Sequence, residues 1–78
     1  MGALPAVYPA RRVKNDVARL RVGTGLTQAA LASLVGVSRQ TIHSIEKERH
    51  TPGLVLAFAI ADALHVDVEA AFDVREAG

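Results

Sequence analysis

Seventy-eight residues leave room for one domain and exclude any multi-domain scheme. Half the chain is apolar, but the count is carried by Ala, Val and Leu, with Phe58 and Phe72, one Tyr, no Trp and no Cys, so there is neither a disulfide staple nor a thiolate zinc site. The net charge of +1 hides an asymmetry: residues 1–50 carry +5, while residues 51–78 carry −4 with Arg75 as their one cation, a division suited to a polyanionic partner for the first part.

Residues 1–12 contain Pro5 and Pro9 and no helical period, which predicts an extended or disordered tail ahead of a domain at 13–75. Val13, Val17 and Leu20 step by four and three. With Asn15 as a cap, they predict a first helix that runs to about Val22, where Gly23 and Gly25 stop it. Thr27 then caps a second helix, about 27–35, whose apolar face is Leu31, Ala32, Leu34 and Val35 and whose end is Gly36. Ser38 caps a third, about 38–47, anchored by Ile42 and Ile45 and otherwise rich in hydrogen-bonding groups.

Pro52 lies in a polar loop, and residues 54–64 form a nearly all-apolar helix that should be buried on several sides. A short fifth helix at about 68–71 would close the bundle. Residues 72–75 alternate like a strand that can pair with residues 12–14. The longest apolar run, residues 54–61, is far short of the roughly 20 residues that span a bilayer, and no signal-peptide pattern opens the chain, so no membrane association and a cytoplasmic location are expected.

Two short helices joined through a glycine, the second of them polar, fit the arrangement that lays a recognition helix in the DNA major groove. Ala32 is small where the helices approach, Gly36 permits a positive φ at the turn, and Val37 fills the corner. A purely structural helical hairpin shares this geometry. Chemistry of other kinds finds no support: His50 and His65 lack a second ligand at useful spacing, and no nucleophile with a base, phosphate-cradling loop or carboxylate pair is present. No enzyme activity, metal or cofactor is expected.

The run LTQAALASLVGVSRQTIHSIEKER closely resembles the Cro/repressor-type helix-turn-helix family of bacterial and phage transcription regulators, the XRE family. Gln28, Leu31, Ala32, Gly36, Val37, Ser38, Ile42, Ile45 and Glu46 carry the likeness. It continues through Pro52, Leu54, Leu56, Ala57, Ile60, Ala61 and Leu64 to Val68, Glu69 and Phe72, and thus covers residues 13–72. The likeness is to short, stand-alone members, and it implies an all-α, five-helix, lambda-repressor-like domain that binds double-stranded DNA.

Gln28 would hold a phosphate at the helix N-terminus, and Thr27, Ser38, Thr41, His43, Lys47 and Arg49 would make further backbone contacts. Arg39 and Gln40, in the first turn of the recognition helix, would read base edges, and Ser44 would reach another base. The family pattern also places Arg21 and Glu46 together as a partly buried salt bridge. One departure is Glu48, where the family favours Gly or Asn in a left-handed conformation; a carboxylate side chain there implies about 1 kcal/mol of strain and a negative charge close to the DNA.

Helix four carries Val55 and Ala59 on a face that Leu56, Ala57, Ile60 and Leu64 do not need for the core. A two-fold contact through Thr51, Pro52, Val55 and Val68 is expected to make a homodimer. The function expected is that of a repressor on a short palindromic operator. The alternatives are an antitoxin or restriction-controller protein of the same fold, or a protein-interaction module, and an unidentified protein partner fits the first and last of these.

Overall fold

Caps and glycines punctuate the chain into five helices and two strands. In the computed structural model, which describes residues 11–76, these are β1 (Arg11–Asn15), α1 (Val17–Gly23), α2 (Gln28–Val35), α3 (Arg39–Glu46), α4 (Leu54–Ala63), α5 (Val68–Ala71) and β2 (Phe72–Glu76). The proposed tail lies outside the described residues up to position 10.

Its last two residues do not belong to a tail: Arg11 and Arg12 begin β1, which pairs antiparallel with β2 from Arg11↔Glu76 to Asn15↔Phe72. The first helix starts at Val17, two residues after the Asn15 cap, and Val13 belongs to the strand and not to the helical step. Val13 sits opposite Val74 in the sheet, and the Asp16 N–H donates to the Ala71 carbonyl at 2.9 Å, closing the sheet end before α1 begins. Asn15 still supplies the cap, because its Oδ1 accepts from the Val17 N–H at 3.1 Å while Asp16 makes no side-chain cap bond.

Thr27 Oγ1 accepts from the Ala30 N–H, and Ser38 Oγ accepts from the Thr41 N–H, so both caps of the helix-turn-helix form as the sequence implies. Four helices end in one way. Gly25, Gly36, Glu48 and His65 each take a left-handed conformation, with φ of 79°, 79°, 61° and 60°. The following N–H then reaches back five residues: Leu26 to Arg21, Val37 to Ala32, Arg49 to Ser44, and Val66 to Ala61. These bonds satisfy carbonyls that the helix ends would leave open. Glycine adopts the conformation freely, whereas Glu48 and His65 adopt it against their Cβ atoms.

The core joins Val17, Leu31, Ala32, Ile42, Ile45, Ile60 and Leu64, one or two residues from each of the four longer helices and the α4 end. Each large aliphatic side chain buried there contributes about 1.5–3 kcal/mol. Phe72 is the aromatic residue packed against this cluster, half-buried, which ties β2 to the bundle.

Helix α4 departs from the expectation of burial on several sides. Ile60 and Ala61 are buried, but Leu54 is 75%, Val55 85% and Phe58 53% exposed. Among the described residues, the other elements cover one stripe of α4. Among the described residues no helix is long and apolar enough to cross a membrane.

Candidate nucleic-acid interface

The recognition helix α3 is fixed to the scaffold by a cluster of charged and polar groups behind it. Arg21 of α1 donates from Nε to Glu46 Oε2 at 2.7 Å and from Nη2 to Oε1 at 3.2 Å, a two-pronged pair whose side chains are 14% and 6% exposed. A third prong, Nη1, donates to the Leu26 carbonyl at 2.9 Å in the α1–α2 turn. The expected Arg21–Glu46 bridge is therefore present, and it ties α1, the turn and α3 together.

Burial pushes the Glu46 carboxyl up, but the hydrogen bonds from Arg21 and Gln28, together with the charges of Arg21 and His43, outweigh it and hold the group below the ordinary carboxylate range. The hydrogen bond to Glu46 in turn makes the Arg21 guanidinium hold its proton more tightly than usual, against the opposing effect of burial.

Gln28 joins the same cluster, which sequence reasoning missed. Its Nε2 donates to Glu46 Oε1 at 3.0 Å and lies 3.4 Å from His43 Nδ1. The amide therefore links the first residue of α2 to two residues of α3. Asn15 was read only as a cap, yet its Nδ2 donates to the Ile45 carbonyl at 2.8 Å and so holds the other end of α3. Neither link leaves a trace in local spacing, because the partners are 18 and 30 residues apart.

At the outer surface, Arg39 and Gln40 stand exposed on the first turn of α3. Gln40 Nε2 donates to Ser44 Oγ at 3.3 Å, so these two candidate base readers form a pair one helical turn apart. Ser38 and Thr41 share a hydroxyl–hydroxyl bond of 3.0 Å beside the cap. Thr27 is exposed beside Gln28 at the start of α2, and His43 is half-buried between Gln28 and the helix surface. Lys47 caps the C-terminus of α3, with Glu48 and Arg49 following it, all exposed. Arg39, Gln40, Ser38 and Thr41 thus gather at one end of α3, and Lys47 and Arg49 mark the other.

The candidate dimer residues are less uniform. Val55 is highly exposed and Thr51 exposed, whereas Pro52 and Val68 are half-buried. Leu54 and Phe58, which the sequence reading did not select, extend the same apolar surface. A shallow cleft of about 190 Å³ adjoins it, lined by Phe58, Ala61, Val66 and Val68 together with the carboxylates Asp62, Asp67 and Glu69.

A family model described as helix-turn-helix matches residues 17–70, from the first residue of α1 nearly to the end of α5. The chain belongs to this family. Its members are DNA-binding transcriptional regulators, which are not a class of enzymes. The chain is 41% identical over 64 residues to YgzD, an HTH-type transcriptional regulator of Bacillus subtilis, a match covering 82% of this chain and 97% of that protein. It is 47% identical over 60 residues to the HTH-type transcriptional regulator MJ0272 of Methanocaldococcus jannaschii, covering 77% and 91%.

Among solved structures, the restriction-modification controller protein C.AhdI of Aeromonas hydrophila is similar at 30% identity with a TM-score of 0.66, over 69% of this chain and 82% of that one. The transcriptional regulator VanUg shares the fold over 95% of this chain and 99% of its own at 19% identity and a TM-score of 0.71. The all-α, five-helix domain with its small two-stranded sheet is thus a helix-turn-helix fold of the Cro/repressor type.

Proposed function

We propose that the chain represses transcription in the cytoplasm by occupying a short palindromic operator as a homodimer. The observation that carries this reading is the edge formed by exposed Arg39 and Gln40 and half-buried Ser44 on a recognition helix clamped from behind by Arg21, Glu46 and Gln28. An Arg side chain matches guanine O6 and N7, and a Gln side chain matches adenine N6 and N7. A rigid mount lets such contacts discriminate between bases, because a misplaced base then cannot be accommodated by tilting the helix.

Backbone contacts fall to Thr27, Ser38, Thr41, His43, Lys47 and Arg49. Gln28 serves them differently from the initial expectation: its amide is engaged by Glu46, so it supports the phosphate site from within. Thr27 takes the N–H groups of Ala30 and Leu31, and the N–H groups of Gln28 and Ala29 are the ones the helix turns toward a phosphate. Thr51, Pro52, Val55 and Val68, extended by Leu54 and Phe58, form the two-fold contact. Placed beyond the C-terminal end of α3, that contact can set two recognition helices about 34 Å apart.

Selection of bound duplexes from a random pool by the purified protein tests the reading. Enrichment of two inverted half-sites about 10 base pairs apart, centre to centre, is expected. A pool that stays random would overturn sequence-specific binding. A restriction-controller role is the second reading, favoured by the similarity to C.AhdI. It requires the selected site to lie upstream of methyltransferase and endonuclease genes, and a site elsewhere would remove it.

A further inference from the structure

Arg21, Glu46, Gln28 and His43 form a series of hydrogen bonds whose direction is set at one end. The Arg21 guanidinium, which stays charged, donates twice to the Glu46 carboxylate, and an ionised carboxylate can only accept. The Gln28 amide must then turn its nitrogen toward Glu46, and Nε2 donates to Oε1 at 3.0 Å. The opposite orientation of the amide would set its carbonyl oxygen against the carboxylate. Nε2 carries two hydrogens, and its second neighbour is His43 Nδ1 at 3.4 Å. A donor facing that ring nitrogen requires a lone pair on it. In acid the imidazole is cationic, and its charge helps to hold Glu46 ionised. Once the ring is neutral, the series selects the tautomer that keeps the proton on Nε2.

The far end of the series is open. His43 Nε2 bonds to no described residue, and no buried side-chain nitrogen or oxygen among those residues lacks a partner, so Nε2 reaches solvent. Arg39 and Lys47 stand exposed one turn to either side of His43 on α3. An uncharged N–H therefore lies in a row between two cations, a set of donors that a phosphate backbone can accept from.

We propose that Gln28 is a positioning residue, which presents the Nε2–H of neutral His43 to a phosphate of the DNA backbone. The inference rests on the DNA-binding reading above and deepens it: the clamp that mounts α3 also sets the polarity of one of its contacts. Its partner is common to every site, so the contact adds affinity without base preference. As an uncharged donor it displaces no counterion, which separates it from the contacts of Lys47 and Arg49.

The first measurement needs no DNA. Proton–nitrogen correlation spectra of the free protein at about pH 8.5, where an imidazole is uncharged, report which ring nitrogen carries the proton. His50 and His65 are exposed and supply averaged tautomers in the same spectrum for comparison. His43 should show its proton fixed on Nε2. Gln28→Met keeps the length of the side chain and removes the donor, so it should return His43 to the averaged pattern. A parent in which His43 is averaged like His50 and His65, or carries its proton on Nδ1, overturns the proposal.

The second measurement is duplex binding at the same pH. His43→Ala should weaken binding to a random-sequence duplex and to a selected site by one common factor, roughly 3- to 10-fold, the loss of one uncharged hydrogen bond. The slope of log affinity against log salt should stay that of the parent, whereas losing a charged contact lowers it by about 0.9. Gln28→Met should show part of this loss, and the Q28M/H43A variant no loss beyond that of His43→Ala, since Gln28 acts through His43. If Gln28→Met fails to fold, the parent spectrum and His43→Ala still decide. A parent that binds DNA while His43→Ala binds equally well, or with a slope lowered by about 0.9, overturns this inference alone. A parent that binds no duplex overturns the DNA-binding reading and the phosphate contact with it.

Discussion

Glu46 shows how a single residue can serve stability and recognition together. Its carboxylate receives Arg21 twice and Gln28 once while being almost fully buried, so removing it strands a guanidinium that cannot shed its charge. Breaking a buried pair from one side costs about 3 kcal/mol or more, against under about 1 kcal/mol for an exposed pair. Glu46→Ala should therefore lower the thermal midpoint by many degrees, and an unchanged midpoint would mean that the bridge behaves as a surface pair. The pH dependence follows from the direction of its shift. A carboxyl held below its ordinary range contributes stability that is complete above the unfolded value, about 4.3, and is lost as the pH falls through the folded value. Denaturant titrations from neutral to acid pH should show this loss in the parent and a flatter acid limb in Glu46→Gln. Glu48 presents the opposite case, a residue that its local backbone disfavours. With φ at 61°, it carries about 1–2 kcal/mol of conformational strain, partly compensated by a half-exposed contact with Lys14. Glu48→Gly should raise stability, by up to about 1 kcal/mol once the greater freedom of glycine in the unfolded chain is deducted. Glu48→Ala keeps the strain and loses the contact, so it should fall at or below the parent. Equal melting temperatures for the Gly and Ala variants would show that the left-handed turn stores no strain.

Among the elements, those with a cap at one end and a left-handed residue at the other were legible in the chain. Thr27 and Gly36 bound α2 and Ser38 opens α3, and in each of these the residue type signals the backbone conformation locally, whereas the left-handed turn at Glu48 follows from the family pattern and against its residue type. His65 ends α4 in the same way without such a signal, since only its modest tolerance of positive φ distinguishes it from its neighbours. At the start of α1 the step of Val13, Val17 and Leu20 also admits Val13 to the helix, but the Asn15 cap and the pairing expected between residues 12–14 and 72–75 mark the boundary, and β1 extends that pairing by one residue at each end. A separation of 30 residues hides the second role of Asn15, whose amide caps α1 and clamps the end of α3. Asn15→Ala removes both bonds and should cost about 1–2 kcal/mol. Asn15→Asp keeps the cap acceptor but sets a carboxylate against the Ile45 carbonyl, so it should restore none of the stability that the donor provides. Chemical denaturation of the three proteins separates the roles, and an Asp variant as stable as the parent would assign the whole effect to the cap.

At the scale of the whole molecule, the division of charge and the distribution of apolar surface point to different partners. Of the cations of the first fifty residues, Arg39, Lys47 and Arg49 stand exposed on or next to α3, whereas the second part of the chain combines acidic residues with Leu54, Val55 and Phe58 left open on α4. A helix this apolar is expected to be covered on several sides, and the described residues of one copy cover a single stripe of it. Exposed apolar patches of this kind mark association sites, and the acidic surroundings make DNA an unsuitable cover for them. On the proposed reading a second copy of the chain covers it, because a two-fold contact about Thr51, Pro52, Val55 and Val68 would bury the same side chains from both sides. Val55 is the most informative position: at 85% exposure it contributes little to the fold of one chain and much to any contact between two. Val55→Glu would place two like charges about the two-fold axis while disturbing the isolated domain little. Sedimentation should then show a dimer for the parent and a monomer for the variant at the same micromolar concentration. Binding to a palindromic site should weaken far more than binding to a single half-site, since only the former uses both recognition helices. A variant that sediments as the parent does, with its preference for the palindrome intact, would move the two-fold contact away from α4.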